Sequence, residues 1–217
     1  MTINLSEKQS IIGDYLSELR STKIQSDRMR FRKNLSRIGE LMAYEISKTL
    51  DFKAKTIKTP LGNARQKVLV DSPVLATILR AGMGMHNGLL EIFDKSDNAF
   101  VSAYRKHLNE EDFDIKVEYL AGPSIEDRVL IISDPMLATG QSMFSVYHAL
   151  LKNGTPERTI IAAVISSPEA IEFLEQNMPK GTIIVNAAID KELTAQSYMV
   201  PGLGDAGDLA YGEKLDL

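Results

Sequence analysis

Four short apolar runs constrain this chain more than any other feature. VLATIL from Val74 to Leu79 and RVLIIS from Arg128 to Ser133 are nearly continuous, the pattern of strands buried on both faces. Thr159 to Ile165 and Thr182 to Ala187 read as two further strands. Between the runs lie helical segments. Ser142 to Leu151 offers Met143, Phe144, Val146, Tyr147, Leu150 and Leu151 for packing and ends at Asn153-Gly154, two residues that tolerate a left-handed backbone. A second helix runs from Pro168 to about Asn177, and glycines 82, 84 and 88 lead from VLATIL into a third, ending near Phe93. Strands separated by helices of this length imply right-handed crossovers in a mainly parallel sheet. Ligands of such sheets sit beyond the carboxyl ends of the strands, where Arg80 and Asp134 stand.

The expected fold class is therefore α/β, a mainly parallel sheet flanked by helices. With 217 residues and a hydrophobic fraction of 44%, a single domain over 1–217 fits best. Leu35, Ile38, Leu41, Met42 and Ile46 make one apolar helix face between about Asn34 and Lys48. Lys55 to Gln66 is polar, is broken by Pro60 and Gly62, and reads as a connection that can include a short strand. Ala99 to Tyr104 and Ile115 to Leu120 read as strands around the charged RKHLNEEDFD, a β-arm over 99–120 at the sheet margin. The tail from Tyr198 to Glu213 holds too many glycines for a regular element. It reads as a shaped loop against a ligand or as a surface coil.

Composition removes several function classes. Without cysteine there is no disulfide scaffold, thiolate metal site or cysteine nucleophile. With 25 basic against 29 acidic residues and a net charge of -4, broad nucleic-acid affinity is not indicated. The basic stretch from Arg20 to Arg37 is the local exception, read as a solvated face or subunit contact ahead of an anion-attracting rim. The N-terminus lacks a secretory pattern and no apolar run spans a bilayer, so a cytoplasmic location without membrane partners is the default. His86, His107 and His148 are scattered without zinc-hydrolase spacing, and there is no GxSxG elbow.

The chemistry gathers at strand ends. After RVLIIS comes Asp134, then Pro135, Met136, Leu137, Ala138, Thr139, Gly140, Gln141 and Ser142. Small residues let successive N–H groups approach an anion at the start of a helix, whose dipole favours the same charge, and Thr139 and Ser142 can add hydroxyls. This is a phosphate cradle beside a carboxylate suited to sugar hydroxyls or a cation. An ordinary tight turn capped by Thr139 or Ser142 is the plainer alternative. The loop lacks the lysine of the GxxxxGK[ST] type, so ATP hydrolysis is disfavoured. Arg80, ahead of glycines, can take two phosphate oxygens in its planar fork, or pair with a carboxylate. Arg105 stands at the end of an arm strand as a rim charge or a closing clamp. Asp205 and Asp208 can hold a cation or cap turns.

These stretches carry a resemblance. FRKNLSRIGELMAYEIS, the TPLG at Thr59, ILRAGMGM from Ile78, YRK at Tyr104, DPMLATGQS, AAID from Ala187 and VPGLGDAGD from Val200 make the chain similar to the uracil phosphoribosyltransferase family, of the type I phosphoribosyltransferase fold. The resemblance implies transfer of a phosphoribosyl group from 5-phosphoribosyl 1-diphosphate to N1 of uracil, giving UMP and diphosphate. It implies that Asp134 contacts the ribose hydroxyls, that Ala138 to Ser142 bind the 5-phosphate, and that Arg80 and Arg105 contact the diphosphate. It further implies that Asp205 serves the donor and its Mg²⁺ through water, and that the backbone at Met199, Gly204 and Ala206 reads uracil within a hood over 187–217. A homodimer or higher homo-oligomer and a GTP effector belong to the same expectation. The chain departs from the family pattern at Gln141, where a second glycine is usual, in ISSPEA from Ile165, in the arm, and at Leu209, where an arginine is usual. Two rivals stay open: a phosphoribosyltransferase for another base, and a regulatory nucleotide-sensing homologue.

Overall fold

The computed structural model describes residues 1–107 and 113–215, with side chains described outside 103–116. In chain order the elements are β1 (Thr2–Asn4), α1 (Ile12–Arg20), α2 (Arg28–Ser47), β2 (Phe52–Thr59), β3 (Gly62–Leu69), β4 (Val74–Leu79), α3 (Met83–Ile92), β5 (Asp97–His107) and β6 (Phe113–Ala121). There follow β7 (Val129–Ser133), β8 (Met136–Leu137), α4 (Gln141–Leu150), β9 (Arg158–Ser166), α5 (Pro168–Asn177), β10 (Ile183–Ile189), β11 (Glu192–Leu193), β12 (Met199–Val200) and α6 (Ala206–Tyr211). The main sheet has the order β1-β10-β9-β7-β4-β5-β6, with β8 added beside β9. Its pairs are parallel except β5 with β6. This is the expected α/β class.

The period-two geometry of a strand explains the apolar runs. Leu75, Ile131 and Ile160 join one core with Leu35, Ile38 and Met42 of α2 and Met85 and Leu89 of α3. Their neighbours Val74, Ile132 and Ile161 turn the other way and join Met143, Val146 and Leu150 of α4 and Leu174 of α5. Both faces of the sheet's centre are covered.

Three sequence readings are corrected. The polar stretch read as a connection is a complete hairpin, β2 with β3, registered from Phe52↔Leu69 to Thr59↔Gly62. Its strands are almost wholly solvent-exposed and so carry no apolar pattern to reveal them. α2 starts at Arg28 rather than near Asn34, because the Asp27 side chain accepts the Arg30 N–H at 3.0 Å and caps the polar first turns. The glycine-rich tail holds a regular element after all: α6, capped by Asp205 accepting the Asp208 N–H at 2.9 Å.

The basic stretch serves the fold itself. Arg30 pairs with Glu18, Arg32 donates to the Ala210 carbonyl at 2.6 Å, and Arg37 donates to Asn34. β5 pairs with β4 from Asp97 to Ser102 and with β6 from Phe100↔Ala121 to His107↔Phe113, the β6 register shifting between Ser102 and Ala103. Among the described residues, no helix is long and apolar enough to cross a membrane.

Candidate active site

β7 and β4 are neighbours, so their carboxyl ends open side by side. Buried hydroxyls fix them there: Thr77 Oγ1 donates to the Ser133 carbonyl and Ser133 Oγ to the Ala76 carbonyl, both at 3.2 Å. Asp134 leaves one end and Arg80 the other.

The loop after β7 is laced to β9 along its length. The Asp134 N–H donates to Ala162 O, the Pro135 carbonyl accepts from Val164 and Ile165, and the Leu137 carbonyl accepts from Ser167. Ser167 Oγ adds a bond to the Ala138 carbonyl at 2.6 Å. The segment read as a turn at Pro135 thus contains the strand β8. Gly140 then takes φ +78°, and a Cβ there would meet Phe173, the Ala170 carbonyl and Leu174 at 3.0 to 3.1 Å. Only glycine fits without displacement.

Gly140 is also the N-cap of α4, and no side chain caps it. Neither Thr139 nor Ser142 plays the capping role that the plainer reading gave them. The first-turn N–H groups of a ten-residue helix are left facing the loop's mouth, an arrangement that receives an anion. Ala138, Thr139 and Ser142 are half-buried around it and Gln141 is exposed.

Asp134 is half-buried by surface exposure, yet the packed loop around it desolvates the carboxyl and pushes its pKa up to about 7, against a smaller lowering by the Met136 N–H at 3.3 Å. Ligand hydroxyls donating to this carboxyl would favour its ionised form.

Arg80 reaches the tail. It donates through Nη2 to Asp208 Oδ1 at 2.7 Å and through Nη1 to the Gly212 carbonyl at 3.1 Å. The Leu79–Arg80 peptide is cis. Gly82, just beyond, leaves no room for a side chain, since a Cβ would lie 2.1 Å from Thr77 Oγ1. Arg105 lies in β5 opposite Ile115, and its side chain lies outside the described residues, as does that of His107. Of the other histidines, His86 is buried against Phe100, which lowers its pKa by desolvation, and His148 is exposed on α4.

In the tail, Met199 is buried against the core, Gly204 is exposed with φ +86°, and Ala206 is buried at the start of α6. Asp205 is exposed, with Oδ1 committed to the cap and Oδ2 left for water or an ion. Among the described residues there is no cluster of three or more metal-ligating side chains. A lone carboxylate fits Mg²⁺ held mainly by waters and substrate phosphates.

One feature escaped sequence reasoning. Asp190, at the end of β10, has a side chain only 2% exposed and is gripped by Arg20 at 2.5 and 3.1 Å. The same pair holds Gly202 from both sides: Asp190 Oδ2 accepts its N–H at 2.8 Å, and Arg20 donates to its carbonyl at 2.7 Å. Gln25 adds a bond to the Leu203 carbonyl. A lone acid after an apolar strand run signals a buried partner, but nothing local to Arg20 distinguishes it from its cationic neighbours.

The family model described as uracil phosphoribosyltransferase matches residues 6–213. The chain belongs to the uracil phosphoribosyltransferase family. The uracil phosphoribosyltransferase of Porphyromonas gingivalis is 54% identical over 213 residues, covering 98% of this chain and 99% of that protein. That of Pyrococcus furiosus is 38% identical, covering 97% and 90%. A solved protein from Aquifex aeolicus superposes with a TM-score of 0.85 at 28% identity, covering 98% of each chain. The orotate phosphoribosyltransferase of Mycobacterium tuberculosis, solved with 5-phospho-α-D-ribosyl 1-diphosphate, has a TM-score of 0.55 at 14% identity, covering 86% and 94%, and shares the fold. Where an arginine was expected in this family, Leu209 packs against the core, with its Cδ1 close over Gly204.

Proposed function

We propose that this chain transfers a 5-phosphoribosyl group from 5-phosphoribosyl 1-diphosphate to N1 of uracil, forming UMP and diphosphate in pyrimidine salvage. The observation that carries the reading is the uncapped start of α4 beside a desolvated Asp134, with the neighbouring strand β4 ending at an arginine tied to the PGLGDAGD tail, in a member of this family.

In this reading the first-turn N–H groups of α4, with Thr139 and Ser142, bind the 5-phosphate. Asp134 accepts hydroxyls of the ribose, which stabilises its ionised form. Arg80 and Arg105 take oxygens of the leaving diphosphate. The backbone at Met199, Gly204 and Ala206 presents fixed donors and acceptors to the edge of uracil, and the Arg20–Asp190 grip on Gly202 holds that surface still. Positive charge develops at ribose C1 as diphosphate departs, so alignment of N1 and stabilisation of the leaving oxygens carry the catalysis. Asp205 would hold Mg²⁺ through water, and the ion, when bound, offsets charge on the diphosphate. A homodimer or larger assembly, a GTP effector and a cytoplasmic location belong to the same proposal.

The test is incubation with Mg²⁺ and the donor beside uracil, cytosine and the purine bases. UMP from uracil is expected; a product from another base alone would reject the assignment.

A further inference from the structure

Arg80 is held by one edge of its guanidinium. A guanidinium has five N–H donors in a fixed fork. Asp208 takes one from Nη2 and the Gly212 carbonyl one from Nη1, which among the described residues leaves the Nε hydrogen and one on each Nη. The side chain is 42% exposed at the strand end, so solvent or a ligand can reach it. The holding group is itself fixed. Asp205 caps the Asp208 N–H, and the Asp208 carbonyl accepts the Gly212 N–H at 2.8 Å. A Cβ on Gly207 would lie 3.6 Å from Arg80 Nη2, so the arginine rests against the first turn of α6. Arg80 and that turn form one hydrogen-bonded unit joining the end of β4 to the tail.

We infer that Asp208 is a positioning residue for the transfer reaction: it orders Arg80 with its free donors presented to the diphosphate and ties that site to the base-reading tail. The inference rests on the proposed phosphoribosyl transfer. The opposite role, a carboxylate that must release Arg80 before the donor binds, conflicts with the donor count. Arg80 can keep both bonds and still meet phosphate oxygens with three N–H groups. Without Asp208 the arginine would have to be ordered when the donor arrives. Immobilising one such side chain weakens binding by roughly three- to tenfold.

The experiment compares wild type, Asp208→Ala and Asp208→Asn by donor-binding calorimetry, steady-state kinetics and thermal unfolding. Asn keeps an acceptor for Arg80 in the same shape. For Asp208→Ala, the donor Kd and KM should rise roughly three- to tenfold, with kcat within about twofold. Asp208→Asn should restore most of the loss. The exposed ion pair contributes little to folding, so the unfolding temperatures should stay close. Unchanged donor affinity in Asp208→Ala would overturn the inference. Tighter binding would make Asp208 a competitor instead, and a parallel fall in kcat, both KM values and thermal stability would make its role merely structural. Turnover by wild type tests the underlying reaction separately. If wild type binds donor but forms no UMP, the reaction is wrong while the binding comparison still judges Asp208; if it binds no donor, both fail.

Discussion

Replacing Arg20 by methionine isolates the buried pair that fastens the tail. The Asp190 side chain is 2% exposed and that of Arg20 22%, so the substitution strands a carboxylate where water scarcely reaches. Removing one partner of a buried pair costs roughly 3 to 5 kcal/mol. Asp190 keeps the Gly202 N–H as a donor, which places this site at the lower end, about 3 kcal/mol. In a protein of this size each kcal/mol moves the unfolding midpoint by roughly 2 to 4 °C, so a fall of roughly 6 to 12 °C follows. Arg20→Met combined with Asp190→Leu removes the stranded charge with its partner and should lose less than Arg20→Met alone. The assay is thermal unfolding by circular dichroism at one pH, with kinetics on the surviving fold. Because the pair holds Gly202 rather than the α4 loop, the KM for uracil should rise while that for the donor stays near wild type. A shift under about 2 °C for Arg20→Met, or a double variant less stable than either single, would show that the pair does not fasten the tail.

The carboxyl of Asp134 has a folded pKa raised from 3.8 to about 7, so the native state holds a proton that the unfolded chain gives up. The stability this contributes is present below pH 3.8 and is lost as pH rises to about 7. Asp134→Asn should therefore gain on wild type across that window, by on the order of 2 kcal/mol once the group's partial exposure is discounted, while losing donor affinity; denaturant titrations at pH 5 and pH 8 that show no divergence would count against the desolvated site. In wild type, kcat/KM for the donor should climb with pH toward a plateau above about 7, as the free carboxyl ionises. Gly140→Ala forces a side chain into a left-handed backbone and against Phe173 and Leu174. A loss of roughly 1 to 3 kcal/mol and a weakened donor site are expected, checked by unfolding and calorimetry, and an alanine variant indistinguishable from wild type would show that the loop tolerates another path.

Burial decides what could be read in advance. β4 and β7 are covered on both faces, so their apolar runs coincide with the strands to within a residue. α5 carries its own start signal, Ser167 as N-cap with Pro168 directly after it. The β2–β3 hairpin has the opposite character: most of its side chains are exposed, and Lys53, Lys55 and Lys58 stand among residues that are exposed as well. α6 was hidden by glycines, although the spacing of Asp205 and Asp208 is that of a cap and its N–H partner. At the site, Asp134 and Gly140 announce themselves by standing between a buried strand and a helix. The Arg20–Asp190 contact spans 170 residues, and a single cation within a basic run carries no sign of which acid it will meet.

Phosphorus NMR follows the proposed phosphoribosyl transfer directly. With donor, Mg²⁺ and uracil present, the donor signals should give way to UMP and diphosphate in equal amounts, and no UMP should form when uracil is left out. Binding of UMP by a protein that leaves the donor intact in the presence of uracil would rule out the transfer reaction and make the chain a nucleotide-sensing homologue.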